Sequence, residues 1–295
     1  MFSQFEVLGR QIPMYGVCAV LGAGAIALFF WLQCRNPRKV YPEIAAQDML
    51  FMMIYALIGA IIGAKLMYFI TSVDVYWIPE KSFFENIWYL ITILFAGGLV
   101  FYGGLIGAVV GGMRYIIHFK TPISGTVDLG FAAVPLFHAF GRVGCFMAGC
   151  CYGVEYHGPL AVVFPEGSMG QAPAGVELLP VQLIEAGLNL VLWAVLTVVY
   201  RRTTRRWLIS GLYLVSYAVM RFVLEFFRGD LIRGSIFSLS SSQFISLFIF
   251  AAGVLLLINP EWLDKFGGKN DDIYVEHEEK MRKLIEERKK AKAKS

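Results

Sequence analysis

Tyr217, Arg221 and Glu225 stand at four-residue intervals inside an otherwise apolar run. That spacing puts all three on one helix face. A charge at the centre of a membrane helix costs on the order of 3 kcal/mol on insertion scales, so such a stripe must face a bundle interior or a water-filled cavity. There the arginine and the glutamate either neutralise each other as a structural pair or serve a cavity that takes a polar ligand. A second arginine lies in the stretch HAFGRVGCFMAGCCYG, residues 138–153, among Gly141, Gly144, Gly149 and Gly153. So much glycine weakens a helix and lets a ligand approach the backbone, which at membrane depth is tolerated only around a cavity. Arg142 would offer a phosphate a planar fork of donors; the alternative is close helix packing around one snorkelling arginine.

Cys145, Cys150 and Cys151 follow His138 in the same stretch. A C-x4-C-C spacing is not one of the usual zinc pairs, and buried cysteine commonly behaves as a small apolar residue. Packing is therefore expected and no metal is assigned, with a metal site and an external disulfide or reactive thiol as the other readings. Gly103, Gly107 and Gly111, like Gly59 and Gly63, have the four-residue period of a helix-packing face. Tyr102 adjoins Gly103 and Gly104 and can point its hydroxyl into whatever space the glycines leave. Tyr15, just after Pro13, is either an interfacial anchor or a site residue.

The elements that must carry these residues are membrane helices. Only 16% of the 295 residues are charged and 57% are apolar, with a mean hydropathy of +0.62; a soluble domain would be nearer a quarter charged. Apolar stretches at about 13–34, 48–70, 88–113, 127–151, 180–200, 207–227 and 237–258 are each long enough to cross roughly 30 Å of hydrocarbon as a helix. Uninterrupted apolar runs of this length exclude a β-barrel's alternation. The expectation is an all-α integral membrane protein with seven transmembrane helices. Alternate connections carry nine basic residues (Arg35, Arg38, Lys39, Arg114, Lys120, Arg201, Arg202, Arg205, Arg206) against three (Lys81, Arg228, Arg233), which predicts an external N-terminus and a cytoplasmic C-terminus. Residues 1–260 read as one membrane domain and 261–295, with 10 Lys+Arg and 9 Asp+Glu, as a charged cytoplasmic tail. The net charge of +4 is a sum of such local features and gives no argument for nucleic acid.

Taken together, these residues resemble the bacterial prolipoprotein diacylglyceryl transferases, from about Tyr15 to Ser246. Pro13-Met14-Tyr15-Gly16, Asp48 with IGAIIGAKLMYFI, FYGGLIGAVVGG, GRVGCFMAGCCYG, LAVVFP, PVQLIE and YAVMRFVLEFFRGD are similar to the family's motifs, in family order. The resemblance implies a seven-span enzyme of the bacterial plasma membrane. Such an enzyme moves a diacylglyceryl group from phosphatidylglycerol to the lipobox cysteine thiol of a secreted preprolipoprotein and releases glycerol 1-phosphate. Its partners would be these substrates and the surrounding membrane lipids, with no cofactor. By the same resemblance Arg142 and Arg221 hold the lipid phosphate and Glu225 orients Arg221, while Tyr15 and Tyr217 line the headgroup cavity. Gly103, Gly104 and Gly153 admit lipid or peptide, Arg228 sits at the outer mouth, and Tyr102 takes a catalytic position. This chain departs from the pattern at four places: Tyr102 stands for a His, Cys145 for an Asn, Cys150 for a Glu, and Leu179 for a His before Pro180. Transfer of a lipid group to another acceptor, and a non-catalytic lipid-binding protein, are the alternatives.

Overall fold

A computed structural model describes residues 4–7, 10–35, 44–76, 81–96, 98–168, 170, 172–203, 205–230, 235–236, 239–260 and 283. Eight α-helices occur among them: α1 (Met14–Arg35), α2 (Ala46–Tyr76), α3 (Phe83–Ala96), α4 (Phe101–Phe119), α5 (Ile123–Ala148), α6 (Val181–Tyr200), α7 (Leu208–Leu224) and α8 (Ser241–Ile258). Among the described residues six regions are long and apolar enough to cross a membrane: Met14–Arg35, Ala46–Val73, Ile123–Ala148, Val181–Tyr200, Leu208–Phe227 and Ser241–Ile258. Three two-stranded antiparallel ribbons, β1 (Gln4–Val7) with β2 (Arg10–Pro13), β3 (Val162–Val163) with β4 (Glu177–Leu178), and β5 (Ser235–Ile236) with β6 (Leu239–Ser240), have strands of four residues or fewer. A spanning strand needs about 9–11. The membrane protein is helical, and the tail read from residue 261 onward lies outside the described residues apart from position 283.

The stretch 88–113, expected as one helix, is divided between α3 and α4. Gly97 and Gly98 fall at the division, and each glycine costs a helix about 1 kcal/mol relative to alanine. The 14 residues of α3 rise only about 21 Å, and their start is fixed by Ser82, whose N–H and hydroxyl both reach the Glu85 carboxylate. Helix α4 continues to Phe119 and stops at Lys120, which takes the left-handed conformation (φ 53°) and donates its N–H to Ile116 O. At the other boundary in doubt, 127–151, the helix ends at Ala148, so Cys150, Cys151 and Gly153 stand outside α5.

The chain divides into two compact units, Glu43–Ile123 and the remainder. In the smaller unit α2 and α4 pack through their glycines: a β-carbon at Gly59 or Gly107 would overlap the other's carbonyl, and one at Gly63 or Gly103 likewise. Tyr115 of α4 donates to Asp48 of α2 at 2.9 Å.

In the larger unit α1 packs on α5, where Gly22 lies under Phe137 and Phe140 and Gly144 lies under Tyr15 and Cys18. It meets α6 through Phe29 on Trp193 and Gln33 accepting from Arg201 Nε at 2.9 Å. Helix α7 has no capping side chain of its own, and Trp207 before it is left-handed. The buried Asp128 of α5 fills that role by accepting from Ser210 N (2.9 Å) and Ser210 Oγ. A carboxylate there answers orphan helix amides and the positive end of the helix dipole. Between α5 and α6 the chain folds over a small core of Phe164, Ala172 and Leu178. On its surface His157 bonds Glu177 Oε2 at 2.8 Å and faces Glu155 at 3.3 Å. That bond to Glu177 raises its pKa above the usual histidine value.

Candidate functional site

Arg142, near the end of α5, pairs through Nη2 with Glu185 Oε1 of α6 at 2.9 Å. Glu185 is 2% exposed and the Arg142 side chain 19%, so the acid is sealed in while the arginine keeps some exposure. Tyr217 of α7 lies within electrostatic reach of Arg142 and of Arg221, which follows it by one turn on its own helix. Arg221 Nη2 reaches Glu225 Oε2 at 2.6 Å and Ser242 Oγ of α8 at 2.9 Å. Its Nη1 is buried and has no acceptor among the described residues. A buried guanidinium donor without an acceptor costs about 1–3 kcal/mol or more, which a bound anion would offset.

Glu225 heads a short 3₁₀ turn, Glu225–Phe227, so the four-residue stripe read from the sequence bends at its last member while the pair survives. Arg228 follows. It is buried, holds Asp230 by a two-point fork at 2.8 and 2.6 Å, and interacts with Cys151. Gly153 bridges to Arg228 and donates its N–H to Leu179 O at 3.2 Å. A β-carbon there would meet Leu179 O, Val181 and Phe227 O, so glycine lets three backbone segments converge behind the arginines.

Tyr15 opens α1 against Gly144 and lies in the electrostatic reach of Arg142 and of Cys145, Cys150 and Cys151. The larger unit therefore brings together Tyr15, Arg142, Tyr217, Arg221, Glu225, Arg228 and Gly153. Tyr102, Gly103 and Gly104 belong to the smaller unit. Tyr102 is half exposed and touches Phe101, Gly103 is buried against Gly63 and Met67, and a β-carbon at Gly104 would sit 3.5 Å from Ala60 O and Ala64 Cβ.

Several members escaped the sequence reading. Glu185 was visible as an acid in a span, but nothing local tied it to Arg142. His138 shares α5 with Arg142 one turn away, a legible signal; its ring lies 5.2 Å from that of Tyr217, and its Nδ1 is 3.4 Å from the Tyr213 hydroxyl. Asp230 closes the motif YAVMRFVLEFFRGD, and Ser242 gave no signal beyond polarity. Two arginines backed by carboxylates, with one tyrosine in reach of both, can hold a phosphodiester and stabilise charge as it leaves.

The family model described as "Prolipoprotein diacylglyceryl transferase" matches residues 3–259. The chain is 33% identical over 252 residues to phosphatidylglycerol–prolipoprotein diacylglyceryl transferase 2 of Clostridium perfringens, covering 85% of this chain and 92% of that one. It is 33% identical over 253 residues to the phosphatidylglycerol–prolipoprotein diacylglyceryl transferase of Clostridium tetani (85% and 94%). To that of Rickettsia bellii it is 30% identical over 264 residues (87% and 94%).

Proposed function

Because the chain belongs to the prolipoprotein diacylglyceryl transferase family, we propose that it transfers the diacylglyceryl group of phosphatidylglycerol to the thiol of a lipobox cysteine in a prolipoprotein. The observation that carries this reading is the pair Arg142 and Arg221, in the closing turns of two membrane-spanning helices, both within electrostatic reach of Tyr217 and with a buried guanidinium donor to spare. The acceptor thiol gives up its proton to water and its sulfur attacks the glyceryl carbon that bears the phosphate; an S–C bond forms, the C–O bond breaks, and glycerol 1-phosphate leaves. Arg142 and Arg221 stabilise the departing phosphate in a low-dielectric cavity. Glu185 and Glu225 aim them, Tyr15 and Tyr217 line the headgroup space, Gly153 gives the backbone its close approach, and Arg228 with Asp230 closes the far side. The resemblance assigns Tyr102 a catalytic position and Gly103 and Gly104 the approach of lipid or peptide.

The same reading sets the chain in the bacterial plasma membrane, with residues 1–260 as the transferase domain crossing seven times. Helix α4 makes the crossing in addition to the six apolar spans. The nine-to-three bias of basic residues supports an external N-terminus and a cytoplasmic tail over 261–295. One observation favours a related transfer to a different acceptor, namely Tyr102 in place of the His of the resembled motif. The test is incubation of the purified protein with phosphatidylglycerol and a lipobox peptide, followed by mass spectrometry of the peptide. A diacylglyceryl mass gain that requires the peptide's cysteine supports the proposal, and an unmodified peptide with intact lipid rejects it.

A further inference from the structure

Three cysteine thiols converge at the end of α5. Their Sγ atoms all lie within 4.8 Å of one another. Points so spaced share a centre no more than about 2.8 Å from each, 4.8 divided by the square root of three, against a zinc–sulfur bond of about 2.3 Å. Closing the remaining half ångström needs only small side-chain rotations.

The backbone around them is held in place. Gly149 (φ +74°) and Cys151 (φ +58°) both take the left-handed conformation, rare for a side chain as large as cysteine. Cys150 N donates to Cys145 O at 3.0 Å, Gly170 N to Ala148 O at 2.8 Å, Ala172 N to Gly149 O at 3.1 Å, and Gln182 Nε2 to Cys150 O at 2.8 Å. A non-glycine residue kept at positive φ by so many bonds marks a turn whose geometry is imposed by its surroundings, as at binding sites. Packing of three small apolar side chains does not require that their sulfurs meet.

We propose that Cys145, Cys150 and Cys151 form a three-thiolate site for a thiophilic d10 metal ion, with Zn(II) as the type, whose fourth position takes the acceptor thiol. Three protein ligands and one open position is the pattern of catalytic rather than structural zinc. Three thiolates on Zn(II) carry one net negative charge, and Arg228, which interacts with Cys151, offsets it, with Arg142 also in reach. Coordination of the incoming thiol breaks its S–H bond, forms a metal–sulfur bond and releases the proton to water, because a metal-bound thiol is deprotonated outright. The bound sulfur then attacks the glyceryl carbon: the S–C bond forms, the C–O bond breaks, the phosphate leaves onto the arginines, and the thioether product gives up its metal–sulfur bond, which reopens the fourth position. This role rests on the lipid-transfer reading; the binding itself does not.

The experiment uses the full-length protein, purified reduced and stripped of metal by a chelator. Titration with Cd(II) as a spectroscopic probe is expected to give thiolate-to-metal charge-transfer absorption saturating at one equivalent. Cys150→Ser should weaken binding at least a hundredfold, and Cys34→Ser should leave it unchanged. Should the serine variant fail to fold, metal must still protect the three thiols, but not Cys34, from alkylation counted by intact mass. No saturating absorption, or equal alkylation with and without metal, overturns the site. Zn(II) is expected to restore transfer to stripped protein at least tenfold; a stripped protein as fast as a loaded one overturns the role. Absence of transfer in the loaded protein, with binding intact, instead rejects the lipid-transfer reading and leaves the metal site standing.

Discussion

The pair Arg142 and Glu185 admits a test that separates charge neutralisation from catalysis. Glu185 is 2% exposed and 2.9 Å from its partner, so replacing Arg142 by Met leaves a buried carboxylate uncompensated. Removing one member of a buried pair costs about 3–5 kcal/mol. At about 2–4 °C per kcal/mol that is a fall in melting temperature of roughly 6–20 °C. Glu185→Leu should cost about as much from the other side. The double variant Arg142→Met/Glu185→Leu removes both charges and fills their volume, so its stability should return to within about 1 kcal/mol of the parent, a coupling energy of several kcal/mol. Activity should behave differently. Loss of one donor to a developing charge costs about 10²–10³ in rate, and the double variant has no donor either. Thermal unfolding in detergent reads the first quantity, and transfer from phosphatidylglycerol to a lipobox peptide reads the second. A double variant that regains transfer to within tenfold of the parent would show that Arg142 only neutralises Glu185, and the phosphate-holding role would fall. One that stays as unstable as the singles would refute the burial argument.

Gly107→Ala should destabilise the smaller unit by about 1–3 kcal/mol or more, since the new methyl overlaps the Gly59 carbonyl; an unchanged melting temperature would mean that α2 and α4 are not in glycine contact. Asp128→Ala, which strips the N-terminus of α7 of the acceptor for Ser210, should cost about 1–3 kcal/mol. The folded fraction should keep its transfer rate, and a selective loss of rate would place Asp128 in the chemistry instead. His157, whose pKa is raised by Glu177, favours the folded loop when protonated, so its contribution is full below about pH 6.5 and is lost as pH rises through the higher folded value. Hydrogen exchange in 155–178 should accelerate across that window in the parent and stay flat in His157→Gln, and matching profiles in the two would remove the histidine from loop order.

The membrane character and most helices were legible in the sequence because both follow from local composition: a run of 20 or so apolar residues has no other stable state in lipid. The pairing of Arg221 with Glu225 was equally legible, since a four-residue spacing closes the contact within one helix. So was the glycine face of α4, whose period survives into its packing on α2.

Tertiary structure decided whatever depends on partners distant along the chain. Arg142 has no acid at helical spacing; its carboxylate arrives on α6, 43 positions later. Asp128, an acid inside an apolar span, finds its partner in Ser210, 82 positions on, which makes it the cap of α7. The break between α3 and α4 and the end of α5 at Ala148 turn on two glycines and one imposed turn, differences of about a kilocalorie that composition averages away. The three thiols show the same limit. C-x4-C-C has no regular spacing that joins its sulfurs, and only the left-handed turn at Gly149 and Cys151, held by amides from Gly170, Ala172 and Gln182, brings them within reach of one ion.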